Sequence, residues 1–145
     1  MPKEFNYDRL EIGEVLGTRE LTITREMIET CADAIESRHP WYLNDSPYGR
    51  PVAPPTVFDN ESLRMLDEQY ARFGSIHSKQ SWEFLQPARL GDHVTLLVRI
   101  VDKYVRRERP YLVMELTAVS DGGALICRSR HTSLMTLSRE TKGGE

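Results

Sequence analysis

The sequence has 145 residues, 39% of them hydrophobic and 28% charged, with 22 acidic against 19 basic side chains and a formal charge of −3. That is the length of one ordinary domain with a lean apolar complement (mean hydropathy −0.48), and the acidic balance points away from nucleic acid. No apolar run approaches the ~18–20 residues that cross a bilayer, and two cysteines, Cys31 and Cys127, make neither a disulfide framework nor a cysteine-only metal site.

The opening Met1-Pro-Lys-Glu-Phe-Asn carries no apolar stretch of the secretory kind, so a soluble, cytoplasmic domain is expected. A single domain is read over residues 1–145. The first ten or so residues and a tail over 138–145, with Arg139, Glu140 and Lys142, are expected to be loose. Leu21-Thr-Ile-Thr alternates as a short strand. Thr24 then suits the N-cap of a helix with Glu26 in its first turn and Met27, Ile28, Cys31 and Ile35 on one buried face. His39-Pro40 is read as the end of that helix. A turn-rich stretch follows, and a second helix is predicted to open at Pro55. It carries Leu63, Leu66, Tyr70 and Phe73 at helical spacing and closes at Gly74. With Val57, Phe58 and Met65 it is apolar on several sides and expects to be wrapped.

From Ser75 the period becomes two. Ile76 to Leu85 holds Trp82 and Phe84 on one face, and Val94, Leu96, Val98 and Ile100 alternate before a charged connection from Asp102 to Pro110. Leu112, Met114, Leu116 and Ala118 form the next strand, Asp121-Gly-Gly a hairpin turn, and Ala124 to Leu137 the last strand. Helices followed by long antiparallel strands indicate an α+β domain.

Three segments carry a resemblance: Arg38-His-Pro-Trp-Tyr, Ser46-Pro-Tyr-Gly-Arg-Pro-Val-Ala-Pro-Pro-Thr, and Trp82-Glu-Phe-Leu-Gln-Pro-Ala-Arg-Leu-Gly-Asp. Over residues 5–137 the chain resembles the MaoC-like dehydratases, a family that contains (R)-specific enoyl-CoA hydratases, and in particular their non-catalytic-type half. The resemblance implies a single hot-dog domain, a five-stranded antiparallel sheet wrapped round a central helix. It also implies addition or removal of water at a double bond conjugated to an acyl thioester of CoA or an acyl-carrier protein. That chemistry needs a base for water, a proton donor for the α-carbon, and backbone N–H groups for the growing charge on the thioester oxygen. No cofactor and no metal is implied.

The family's active motif, Gly-Asp-x-Asn-Pro-apolar-His, aligned through Pro40, puts Ser37 at the Asp position and Tyr42 at the His position. Neither is a base near neutral pH in its ordinary state. His39 on the same loop is the natural substitute, with Glu36 or Asp45 to orient it; it also suits a helix end. The family's glycine at the helix start falls on Pro55, which has no N–H; the next free donors are Thr56, Val57 and Phe58, and Thr56 and Val57 are the expected oxyanion donors. His77 is expected near the same cavity or at a strand edge. Arg106 and Arg107, with Lys103 and Arg109, suit the phosphates of a carrier or a solvated hairpin tip.

The expected function is a hydratase or dehydratase with a non-standard site. The alternatives are a catalytically silent acyl-binding subunit of a heteromeric dehydratase, or a hot-dog thioesterase. Such protomers commonly join edge to edge, so a homodimer, or a heterodimer with another hot-dog chain, is expected, with no membrane partner.

Overall fold

The computed structural model describes residues 1–71 and 74–135. Its elements are β1 (Lys3–Glu4), β2 (Val15–Thr22), α1 (Arg25–Ala34), α2 (Pro40–Leu43), α3 (Glu61–Gln69), β3 (Tyr70–Ala71), β4 (Ser75–Phe84), β5 (His93–Arg106), β6 (Arg109–Ser120) and β7 (Leu125–Met135). The large sheet is antiparallel throughout, in the order β2-β5-β6-β7-β4; β1 and β3 form a separate parallel pair.

The inner face of the sheet follows the alternation in the sequence. Val94, Leu96, Val98 and Ile100 of β5 and Leu112, Met114, Leu116 and Ala118 of β6 are almost fully buried. Phe58, Met65 and Leu66 pack on them from the helical side, so the sheet encloses α3 as the pattern predicts. Gly17 sits at an irregularity in β2, where a Cβ would meet the Met65 sulfur at 3.3 Å; a bare backbone there admits the helix closely.

Several boundaries differ from the sequence reading. Helix α1 has Thr24 as its N-cap, accepting from the Met27 N–H at 3.2 Å, and Glu26 in its first turn, as read. It stops earlier, at Ala34. Glu36 turns left-handed (φ 54°) and the Ser37 N–H reaches back to the Ala32 carbonyl at 2.9 Å, closing the helix well before Pro40. Its buried positions are Ile28 and Ala32, while Ile35, just past the end, is exposed. The second helix starts at Glu61, not Pro55. Residues 55–60 form successive tight turns, with Val57 donating to Pro54, Asp59 to Thr56 and Glu61 to Phe58. The β-branched pair Thr56-Val57 and the turn-forming Asp59-Asn60 favour that over α-helix. At the far end the helix gives way to strand β3 at Tyr70; Phe73 lies outside the described residues, as does the whole tail over 138–145.

The charged connection from Asp102 to Pro110 is strand almost throughout. β5 runs on to Arg106 and a two-residue turn, Arg107-Glu108, leads straight into β6. The N-terminal segment is docked rather than loose. Tyr7 and Leu10 are buried, and the Tyr7 hydroxyl donates to the Tyr104 and Tyr111 carbonyls at 3.0 and 2.8 Å. No helix among the described residues is long and apolar enough to cross a membrane.

Candidate functional site

At one end of the sheet, where β4 finishes and β7 begins, a cavity of about 430 Å³ opens between the sheet, the 52–58 segment and α2. Its walls include Val52, Ala53, Val57, Phe84, Ile126 and Cys127, with His39, Tyr42, Tyr48 and Gln86 bringing polar atoms into it and no Asp, Glu, Lys or Arg among its lining residues. Burial raises the Cys127 thiol to about 11, which keeps it protonated and unreactive near neutral pH. Cys31 is also raised by burial, against a hydrogen bond from its environment at Thr56.

Two hydrogen-bonded devices hold the cavity walls. In the first, Ser46, Tyr48, Gly49 and Arg50 form a tight turn in which the Ser46 hydroxyl donates to the Arg50 carbonyl at 2.6 Å and accepts from the Tyr48 N–H at 3.1 Å. The strand-like pairing beyond it joins the Ala53 N–H to the Ala88 carbonyl and the Leu90 N–H to the Pro51 carbonyl, both at 2.8 Å. In the second, the Asp92 carboxylate accepts from the Arg89 backbone N–H at 2.8 Å and pairs with the Arg50 and Arg89 guanidinium groups at 2.8 and 3.4 Å. The Pro-Ala-Arg-Leu-Gly-Asp segment is therefore a clamp on the cavity wall.

Pro40 begins α2 instead of ending α1. His39 is the N-cap of that turn, its Nδ1 accepting from the Trp41 N–H at 3.2 Å. Its ring lies 5.6 Å from that of Tyr42 and 5.1 Å from that of Trp41. Neither Glu36 nor Asp45 orients it. An Nδ1 that accepts leaves the proton of the neutral ring on Nε2, so His39 presents a donor and not a lone pair. Ser37 lies just outside the cavity, its hydroxyl accepting from the His39 N–H at 3.4 Å. The Val57 N–H is spent on the Pro54 carbonyl at 3.0 Å, whereas the Thr56 and Phe58 N–H groups meet no backbone carbonyl among the described residues. Phe58, the third of the free donors expected after Pro55, takes the place of Val57 at the turn.

His77, Arg106 and Arg107 are not in this cavity. Strand register places Cys127 opposite Phe84 and Leu134 opposite Ile76, so His77 and the β5–β6 hairpin tip lie at the other end of the sheet, about 20 Å away at ~3.3 Å per residue. His77 stacks on the buried His131 with ring centroids 4.1 Å apart. Lys103 turns to the helical side and donates to the Tyr7 and Asp8 carbonyls, away from the arginines near it in sequence. Among the described residues no group of three or more His, Cys, Asp or Glu side chains is placed to hold a metal ion.

The family model described as the FAS1-like dehydratase domain region matches residues 11–128. The chain belongs to the FAS1-like dehydratase family. Solved structures agree on the architecture of this dehydratase-family chain. The unliganded R-hydratase PhaJ1 from Pseudomonas aeruginosa superimposes with a TM-score of 0.75 at 15% identity, over 92% of this chain and 87% of that one. The (3R)-hydroxyacyl-ACP dehydratase complex HadBC from Mycobacterium tuberculosis gives 0.68 at 22% identity, over 81% and 90%. The ChsH1–ChsH2 complex from the same organism gives 0.69 at 13%, over 87% and 98%. These likenesses establish the hot-dog fold of the dehydratase-family chain. No curated protein matches the sequence significantly.

Proposed function

We propose that this dehydratase-family chain is the acyl-binding half of a hydratase or dehydratase acting on an acyl thioester, and that a second hot-dog chain supplies the base. The observation that carries this reading is the lining of the 430 Å³ cavity: largely apolar walls, hydrogen-bond donors that include His39, Tyr42, Tyr48 and Gln86, and no carboxylate. Such a site suits an acyl chain, which it would desolvate, with a carbonyl accepting hydrogen bonds at one end. The Thr56 and Phe58 N–H groups are free to meet a thioester oxygen, and His39 Nε2–H and the Tyr42 hydroxyl to serve as donors. Ser37, at the position of the family's aspartate, offers no base. The family relatives named as complexes, HadBC and ChsH1–ChsH2, favour a heteromeric arrangement.

Pairing would use the outer edge of β4, a ten-residue strand that is exposed along most of its length. A long open edge of that kind is a template for another strand. Phe84 at its end is half-exposed and also lines the cavity, so a chain added there would close the mouth of the site.

The test is an enoyl-thioester assay followed by loss of absorbance of the conjugated thioester. The protein alone should be inert, and activity should appear on adding a hot-dog chain that carries the Asp–His motif. In that mixture, Tyr42→Phe with His39→Ala should lower the rate about 100-fold, within the range of a general-acid contribution. Full activity of the lone chain would move the base back into this subunit and overturn the assignment. Release of free thiol from a saturated acyl-CoA would identify a thioesterase instead.

A further inference from the structure

The inner and outer faces of the sheet differ in charge, and one cleft on the outer face has no acidic component. It has a volume of about 490 Å³ and is lined by Ser78 and Lys79 from the edge strand, Tyr104, Arg106, Arg107 and Arg109 from the β5–β6 hairpin, and Tyr111. Elsewhere on this face the arginines are neutralised. Arg99 and Arg130 share the buried Glu115 at 3.3 and 3.0 Å, and Arg128 faces Glu83 at 3.3 Å. Lys79, Arg106, Arg107 and Arg109 make no ion pair among the described residues, and all four are exposed. Tyr104 and Tyr111 are stacked at 5.1 Å and 13° and form the wall beneath them.

The turn itself adds an observation. Arg107 and Glu108 both have left-handed backbones, with φ of 50° and 62°. A two-residue hairpin turn of that shape is ordinarily filled by Asn-Gly, which adopts it freely, so Arg107 sits there against its backbone preference.

From these we infer that the cleft is a binding site for a phosphorylated nucleotide, its phosphates held by Lys79, Arg106, Arg107 and Arg109 and its planar base lying against the Tyr104–Tyr111 wall. Guanidinium groups meet phosphate oxygens in pairs, and aromatic rings accept any base face. The cleft is of the size that holds a small organic ligand. The inference stands apart from the thioester reading, because the site lies about 20 Å from the acyl cavity within the protomer, by strand register at ~3.3 Å per residue. The nucleotide is either free or the head of a larger carrier; the chemistry of recognition is the same.

Calorimetric titration of the purified protein with adenosine 3′,5′-bisphosphate tests it. Saturable binding that weakens with added salt is expected, with adenosine alone binding far more weakly. Arg106→Glu with Arg109→Glu should weaken the bisphosphate at least about tenfold, whereas Lys3→Glu with Arg25→Glu, the same change of net charge on the helical side, should leave it unchanged. Arg107→Asn with Glu108→Gly keeps the net charge and relaxes the turn, so it should fold at least as stably and still lose affinity. His39→Ala should bind normally, which separates this site from the acyl cavity. Competition by coenzyme A would mark the carrier head as the source, and indifference to it a free nucleotide. Absence of saturable binding, or equal weakening by the Lys3 and Arg25 reversal, overturns the inference.

Discussion

Asp92 offers the sharpest test of how the cavity beside α2 is built. Its side chain is only 15% exposed and accepts one backbone N–H and two guanidinium groups, so Asp92→Ala removes all three at once. A charge-assisted bond to a backbone N–H contributes about 1.5–3 kcal/mol, and each pairing with a half-exposed arginine about 0.2–1 kcal/mol. The expected loss is therefore about 2–5 kcal/mol. With an unfolding entropy of roughly 2.1 cal/mol/K per residue, that lowers Tm by about 7–16 °C for a chain of this length. Asp92→Asn retains an acceptor for the Arg89 N–H and should lose about half as much. Differential scanning calorimetry and urea midpoints measure both. A loss below about 1 kcal/mol for the alanine variant refutes the clamp. If instead Asp92→Asn left stability intact and abolished turnover in the reconstituted enzyme, Asp92 would be a reacting group and the account of the segment as structural would fall.

Two further outcomes follow from local geometry. Gly17→Ala should be close to neutral, because the Met65 thioether can yield to a Cβ at 3.3 Å, while Gly17→Val should cost about 1–3 kcal/mol by urea denaturation; equal effects would mean the helix is not seated on β2 at that point. The His93 ring, on the surface, is raised above its ordinary value by its 2.7 Å hydrogen bond to Asp121. A raised value in the folded state means the pair stabilises fully below about pH 6.5 and loses that effect as pH rises through the folded value. NMR titration should therefore show His93 shifting down in Asp121→Asn, and an unchanged titration would show that the pair does not form.

The sheet was legible because its inner face alternates without interruption from Val94 to Ile100 and from Leu112 to Ala118, and burial on one face fixes that pattern. The helices were less so. Thr24 announces the start of α1 chemically, but its end depends on Glu36 adopting a left-handed backbone, which no side-chain preference signals. The same is true of the hairpin tip, where charge suggested a loop and the backbone continued as strand. For the site, the sequence brought His39 and Tyr42 to one loop because Pro40 joins them in a single helical turn. It joined Arg106, Arg107 and His77 to them only by chemistry. Distance along a strand is set by register, which a single sequence leaves open.

The lean apolar content and the carboxylate-free cavity lining meet at one place. The inner face of the sheet is dry where α3 covers it, so the hydrophobic shortage is not felt in the centre of the protomer. It is felt at the mouth of the cavity, where Trp41, Tyr48, Phe84 and Leu85 remain between 39% and 51% exposed beside His39. Large aromatic side chains left half-wet round a cavity gain most from being covered by another surface. The open edge of β4 ends in that same group, at Phe84. A chain that paired along β4 would therefore bury the aromatic rim and close the cavity in a single contact, and under the function proposed above it would carry the base to the side of the acyl thioester where this subunit has only donors. Stability and catalysis would then rest on one interface, so the sequence that lacks an aspartate at Ser37 needs no replacement for it within its own fold.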